Sequence, residues 1–256
     1  MKSIPSIFIS HAAPTIALTD NPVRAFWRGL IDEIGRPRSI LCISAHWETQ
    51  VPTISRAALP KTIHDFYGFP DPLYEMRYPA PGAPELAEQV GALLRESNIE
   101  FDMDPDRGLD HGAWMPLREI APNADVPVTQ LSIQADKGLD HHIAVGRALA
   151  PLRDDGVLIL ASGGAVHNFA GFRPGSDRVA DWADRFDDWL TGTVEAGDVD
   201  ALINYRNEDG AMAHPRDEHL LPIGVAMGAA GKDTKGRALH RGFIDGSVST
   251  TAYAFG

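Results

Sequence analysis

A single cysteine, Cys42, stands among the 256 residues, which excludes an intrachain disulfide and a thiolate-bound zinc site. Basic residues are also scarce. Against 35 aspartates and glutamates there are 23 lysines and arginines, leaving a formal net charge of −12. Nucleic acid is therefore not an expected partner, because phosphate binding needs a basic face. No apolar run approaches the length of a membrane span, so no membrane association is expected. The opening MKSIPSIFISHAAPT has one lysine and an apolar run too short for a signal-peptide core. These features predict a cytoplasmic protein. Repeats, low-complexity tracts and long linkers are missing as well, so residues 1–256 read as a single domain. So are several motifs. There is no HExxH of thermolysin-type hydrolases, no GxSxG nucleophile elbow, no Walker loop and no GxGxxG.

What is present alternates between short apolar runs and amphipathic stretches. Strands are expected at 6–11, 38–47, 126–134 and 156–168, with one or two more between 238 and 255. Helices are expected at 21–35, 83–98, 139–154, 176–197 (with a break near Gly192) and 217–230. The aromatic, Pro- and Gly-rich stretch 63–81 reads as an ordered loop or hairpin. The pattern predicts an α/β fold, with a central mixed sheet flanked by helices on both faces. Reactive groups in such sheets gather beyond the strand ends, and a metal site is expected there.

That is where the histidines fall. "FISH" puts His11 at a strand end, "CISAHW" puts His46 at a second, and "LASGGAVHN" puts His167 just past a third. "GLDHGAW" places His111 in a Gly-flanked turn, and "HPRDEHLL" carries His214 and His219. Each alone reads most simply as a hydrogen-bonded loop or core histidine. Together they point to imidazole chemistry, either metal ligation or proton transfer near neutral pH. Zn(II), Fe(II), Mn(II) and Cu(II) all suit such ligands, and the spacing does not choose among them.

In order, "SHAAPT", "SAHWE", "HDFYGFP", "GLDHGAWMPL", "SGGAVHN" and "HPRDEHLLPI" span residues 10 to 223. This set resembles the class III extradiol aromatic ring-opening dioxygenases, most closely the DOPA-dioxygenase branch related to the catalytic subunit of protocatechuate 4,5-dioxygenase. The resemblance implies a single catalytic domain with a non-haem Fe(II) held by His11, His46 and His219. His111 and His167 match two further histidines that support the family's metal site, and either is expected to move protons. His167 matches the family's proposed acid–base residue and a position that approaches the metal in zinc-loaded members. The implied reaction inserts both atoms of O2 into a catechol-type ring to give a muconic semialdehyde. The implied partners are a small aromatic diol and O2. Fe(II) is the working cofactor, and Zn(II) is an ion that purified protein could carry. Two other readings stay open at this point: a zinc-dependent hydrolase, and a non-enzymatic metal-binding member of the superfamily.

Two positions depart from, or complicate, the family pattern. The branch usually reads Ser-His-Gly where this chain has Ser-His-Ala, so Ala12 replaces a residue free to take φ > 0. The protocatechuate enzymes use a carboxylate as third ligand, and this chain offers both Glu218 and His219. Neighbours on a helix point about 100° apart, so one of the two faces the metal, and the motif favours His219. Elsewhere, His64 opens a loop whose Phe66, Tyr67 and Phe69 form either an aromatic lid or core packing. Trp47, Trp114 and Cys42 read as core, and His240 as structural. His214 reads as a support for the site or a helix cap. His141 and His142 lie within a helix, where at most one can face inward and a solvated face is the default. Trp182, Phe186 and Trp189 are expected to point inward.

Overall fold

The computed structural model describes residues 3–207, 209–231 and 235–256. In chain order the elements are β1 (Ser6–Ser10), α1 (Pro22–Ile34), β2 (Ser39–Glu48), β3 (Thr53–Ser55), α2 (Pro72–Glu75), α3 (Pro84–Glu96), β4 (Asp102–Asp104), α4 (His111–Ile120), β5 (Val128–Ile133) and α5 (Leu139–Leu149). They continue with β6 (Val157–Gly163), α6 (Asp181–Ala196), α7 (Val199–Ile203), α8 (Gly210–Ala213), α9 (Leu221–Ala229), β7 (Gly236–His240), β8 (Phe243–Ile244), β9 (Val248–Ser249) and β10 (Ala252–Phe255).

Eight strands form one mixed sheet in the order β4-β3-β5-β2-β6-β1-β10-β7. The centre, β5-β2-β6-β1, is parallel, and β10 and β7 add antiparallel at one edge. Alternation along the central strands sends side chains to two cores. Ile7, Ile9, Ile40, Cys42, Leu158 and Leu160 meet α1 and α4 on one face. Phe8, Leu41, Ile43, Ile159 and Ala161 meet α3, α5, α6 and α9 on the other. Both faces are covered, as an apolar parallel sheet requires. This is the expected α/β fold with helices on both faces. Among the described residues, no helix is long and apolar enough to cross a membrane.

Several elements differ from the expectations. The helix expected at 176–197 begins only at Asp181, where Asp181 and Asp184 complement its N-terminus. It runs unbroken through Gly192, where a Cβ would meet open space. The helix expected at 139–154 ends at Leu149 and tightens to a 3-10 turn over Ala150–Arg153, because Pro151 lacks the N–H to continue it. The helix expected from 217 starts at Leu221, with Pro222 in its first turn, so His219 lies in the turn before it. The strand expected to 168 stops at Gly163. His111 is not in a turn but is the first residue of α4, capped by the Asp110 side chain on the Ala113 amide. Of the pair His141 and His142, His142 is the one that faces inward. It is buried, donating from Nδ1 to the Gly138 carbonyl and accepting the Gln134 amide at Nε2.

Candidate metal centre

The carboxyl ends of β1, β2 and β6 converge, and the site lies just beyond them, as in other open α/β sheets. His11 follows the last residue of β1, and its amide donates to the Gly163 carbonyl at 3.0 Å. His46 is not at a strand end as expected but inside β2, which runs on to Glu48. From Ile43 to Glu48, β2 advances further than β5 does from Leu131 to Ile133. This local bulge re-aims the side chains between them. His219 is fixed through its backbone, where its carbonyl accepts the Gly164 amide at 2.9 Å. A Cβ on Gly163 would sit 2.1 Å from that same carbonyl oxygen, so only glycine lets the turn approach.

Three imidazoles therefore meet. One nitrogen each of His11, His46 and His219 lies within 4.8 Å of the others. The tautomer of His11 can be read from its neighbours. Ser162 Oγ donates to the Gly112 carbonyl, so at 3.0 Å it must accept from His11 Nδ1–H. That leaves the lone pair on Nε2, which lies 3.0 Å from Nε2 of His46. His46 turns its Nδ1 toward Asp65, at 3.5 Å. His219 Nδ1 lies 3.2 Å from Glu218 Oε1, so its Nε2 is again the nitrogen left for another partner. Holding the outer nitrogen and freeing the inner one is the arrangement that serves metal-ligating histidines.

The electrostatics agree. Burial, reinforced by the neighbouring histidines, holds the His11 and His219 imidazoliums well below their ordinary range. Burial, with His111 beside it, lowers His46 to about 4 against the pull of Asp110 and Asp65. All three are thus neutral at neutral pH, the form in which imidazole can take a metal. Two Nε2 lone pairs 3.0 Å apart repel unless a cation or proton lies between them. The donor set fits a first-row divalent metal.

His111 and His167 border the same cavity, of about 630 Å³. His111 is gripped twice by Asp65, through its amide and through Nδ1, both at 2.8 Å. Burial opposes the Asp65 charge, but the hydrogen bonds from His111 outweigh it and hold the carboxyl down to about 2. His167 stacks on His219, ring centroids 3.4 Å apart and nearly parallel, with Nδ1 3.9 Å from Glu218. Burial and then the charges of His111 and Arg216 lower it to about 4. Of the two adjacent candidates, His219 joins the His11–His46 cluster, while Glu218 lies behind it, its carboxyl raised chiefly by burial.

Other predicted residues lie apart from this cluster. His64 bonds the Met76 carbonyl at 3.1 Å. His214 is fully buried and donates to the Ala165 carbonyl at 2.9 Å, supporting the loop that carries His167. His240 stacks on Phe26. Phe66 is buried, and Tyr67 and Phe69 join it in lining the cavity, so the loop both packs and covers. Sequence reasoning passed over Asp65 and Ser162. Both stand inside quoted motifs, "HDFYGFP" and "SGGAVHN", but neither residue type advertises a bond to an imidazole.

Comparison with known proteins gives the chain its family. The family described as "Catalytic LigB subunit of aromatic ring-opening dioxygenase" matches residues 6–256. The chain is 44% identical to a "4,5-DOPA dioxygenase extradiol" of Beta vulgaris, over 98% of this chain and 96% of the relative. It is 38% identical to a protein of the same name from Escherichia coli K12, over 88% of this chain and 85% of the relative. A crystal structure of the uncharacterized protein JW3007 from Escherichia coli K12 superposes with a TM-score of 0.84 at 32% identity, covering 99% of this chain and 100% of that one. LigB-family dioxygenases are metal-dependent, and this chain has a histidine cluster able to hold a metal. The chain belongs to the aromatic ring-opening dioxygenase family of the LigB catalytic subunit and is an enzyme of the extradiol ring-cleaving class.

Proposed function

We propose that this enzyme is an Fe(II)-dependent extradiol dioxygenase. It would insert both atoms of O2 into a catechol-type ring and yield a muconic semialdehyde. The observation that carries the reading is the trio of neutral imidazoles lining the cavity, two of them hydrogen-bonded at the outer nitrogen. His11, His46 and His219 would hold the metal. Fe(II), when bound there, supplies a common site for the diol and O2 and a path for electrons between them. The catechol ring itself is taken from the names of the relatives.

The protein's own groups would then manage protons and position. His167 is neutral at neutral pH because of its burial, so it has a nitrogen free to accept a phenolic proton, and the imidazolium so formed needs a nearby charge to offset that burial. His111 donates from Nδ1 to Asp65, which leaves Nε2 as its basic nitrogen. The imidazolium that forms on proton uptake would be stabilised by Asp65 at 2.8 Å for His111, and by Glu218 at 3.9 Å for His167. Either histidine can return its proton later in the reaction. Phe66 and Phe69, with Ala12 and Val166, exclude water from the space where the ring would lie.

The test is anaerobic loading with Fe(II), followed by oxygen-electrode assays over a catechol panel. Oxygen uptake with a yellow semialdehyde absorbance is expected. It should vanish in His46→Ala and in zinc-loaded protein, since Zn(II) has no redox chemistry. Stoichiometric metal with no oxygen uptake on any catechol would overturn the reading.

A further inference from the structure

Glu218 is buried, and its Oε2 is one of four buried side-chain polar atoms, among the described residues, with no hydrogen-bond partner. A carboxylate oxygen in that position is unfavourable, and an apolar side chain would avoid the penalty. An unsatisfied buried group of this kind needs a reason.

The other oxygen supplies one. Oε1 lies 3.2 Å from Nδ1 of His219 and 3.9 Å from Nδ1 of His167. The two rings are nearly parallel, with centroids 3.4 Å apart, so they turn a shared edge to the carboxylate. For His219 the contact is a hydrogen bond, with Nδ1–H donating to Oε1 and Nε2 left free. For His167 it is an ion-pair distance. A metal on His219 and a proton on His167 would set two positive groups face to face. Glu218 is placed to offset both.

Glu218 is in turn held from outside. Its neighbour Asp217 is taken up by Tyr205 and Arg206. Arg216 serves Glu218 instead. Its Nε is 3.5 Å from Oε2, and its guanidinium is 3.1 Å from both oxygens of Glu48. Glu48 ends β2, the strand that carries His46. One arginine thus ties the segment bearing His46 to the segment bearing His219, a double grip that a planar guanidinium suits.

Resting on the function proposed above, we infer that Glu218 is a positioning residue for two histidines at once, the metal-binding His219 and the proton-moving His167, and that Arg216 acts through it. Neither residue touches the substrate in this account. Both work by holding imidazoles that do the chemistry.

The experiment titrates Co(II) into metal-free protein and, separately, measures kcat and KM of the Fe(II) enzyme on catechols. Glu218→Leu should lower Co(II) affinity by about 10–100-fold. Glu218→Gln keeps a carbonyl for His219 but no charge for His167. It should recover most of that affinity yet lose about tenfold in kcat, with KM little changed. Arg216, with 68% of its side chain exposed, can be replaced without disturbing the core. Arg216→Met should weaken Co(II) binding, and that loss should disappear in the Glu218→Leu background. Unaltered Co(II) affinity and kcat in Glu218→Leu would overturn the inference. So would an Arg216→Met effect of equal size with and without Glu218. Ring opening by no form of the enzyme would instead remove the function proposed above, and the Co(II) affinities would still decide this inference.

Discussion

Ala12 holds φ at +57°, where a side chain crowds the following carbonyl. The penalty is about 1–2 kcal/mol for a residue with a Cβ. Glycine would avoid it but would lose more chain entropy on folding, about 0.5–1 kcal/mol. Ala12→Gly should therefore raise stability by about 0.5 kcal/mol in urea unfolding. Ala12→Val, β-branched at the same φ, should lower it clearly. The family comparison made Ala12 visible in the sequence, while the retained positive φ needed the backbone. Asp65 makes the complementary case. Its carboxylate grips His111 at two points and faces His46, so it fixes both rings. Asp65→Asn should cost about 10–100-fold in metal affinity or kcat/KM, as loss of such supporting partners does. Measured metal affinity, and not only turnover, checks this.

Helix α4 was hidden from the sequence because its residues advertise breaks. Gly112 and Pro116 both lie inside it, and both prove to be used. Pro116 has no N–H to bond the Gly112 carbonyl one turn earlier. Ser162 Oγ takes that carbonyl instead and so becomes the acceptor for His11 Nδ1–H. A helix defect thereby sets a ligand tautomer on another element. Ser162→Ala should weaken metal binding by about 10–100-fold while the fold survives, as titration with a divalent metal and far-UV spectra would show. Gly112 lets the helix approach. A Cβ there would meet Ser44 Oγ at 2.5 Å and carbons of His11 and His46 at 3.2 Å. Gly163→Ala, colliding with the His219 carbonyl, should reduce bound metal well below one per chain. The strands carrying His11 and His46 were legible because buried parallel strands are apolar runs. Strands β3 and β4, three residues each, pair without any pattern that marks them.

At the scale of the whole molecule, burying neutral histidines ties stability to pH. His142 is lowered to about 4 and His214 to about 3, chiefly by burial. Unfolded, each returns to about 6.5, so below that pH the unfolded chain binds more protons than the folded one. Their contribution is fully present above about pH 6.5 and is lost as pH falls toward the folded values. For His142 the loss is on the order of 3 kcal/mol. The melting temperature should drop over this window, and the drop should be shallower in His142→Gln, which cannot titrate. The order of six motifs along the chain made the family legible. The two-faced core and the histidine cluster became legible only once distant segments were brought together.

The central claim is that the site of His11, His46 and His219, loaded with Fe(II), would support opening of a catechol ring by O2. The most direct measurement is mass spectrometry of the ring-opened product formed by the Fe(II) enzyme under 18O2. The account predicts that the product carries labelled oxygen from both atoms of O2, after correction for exchange of the aldehyde oxygen with water. A product labelled at only one position after that correction, or one whose new oxygen comes from water, would contradict it.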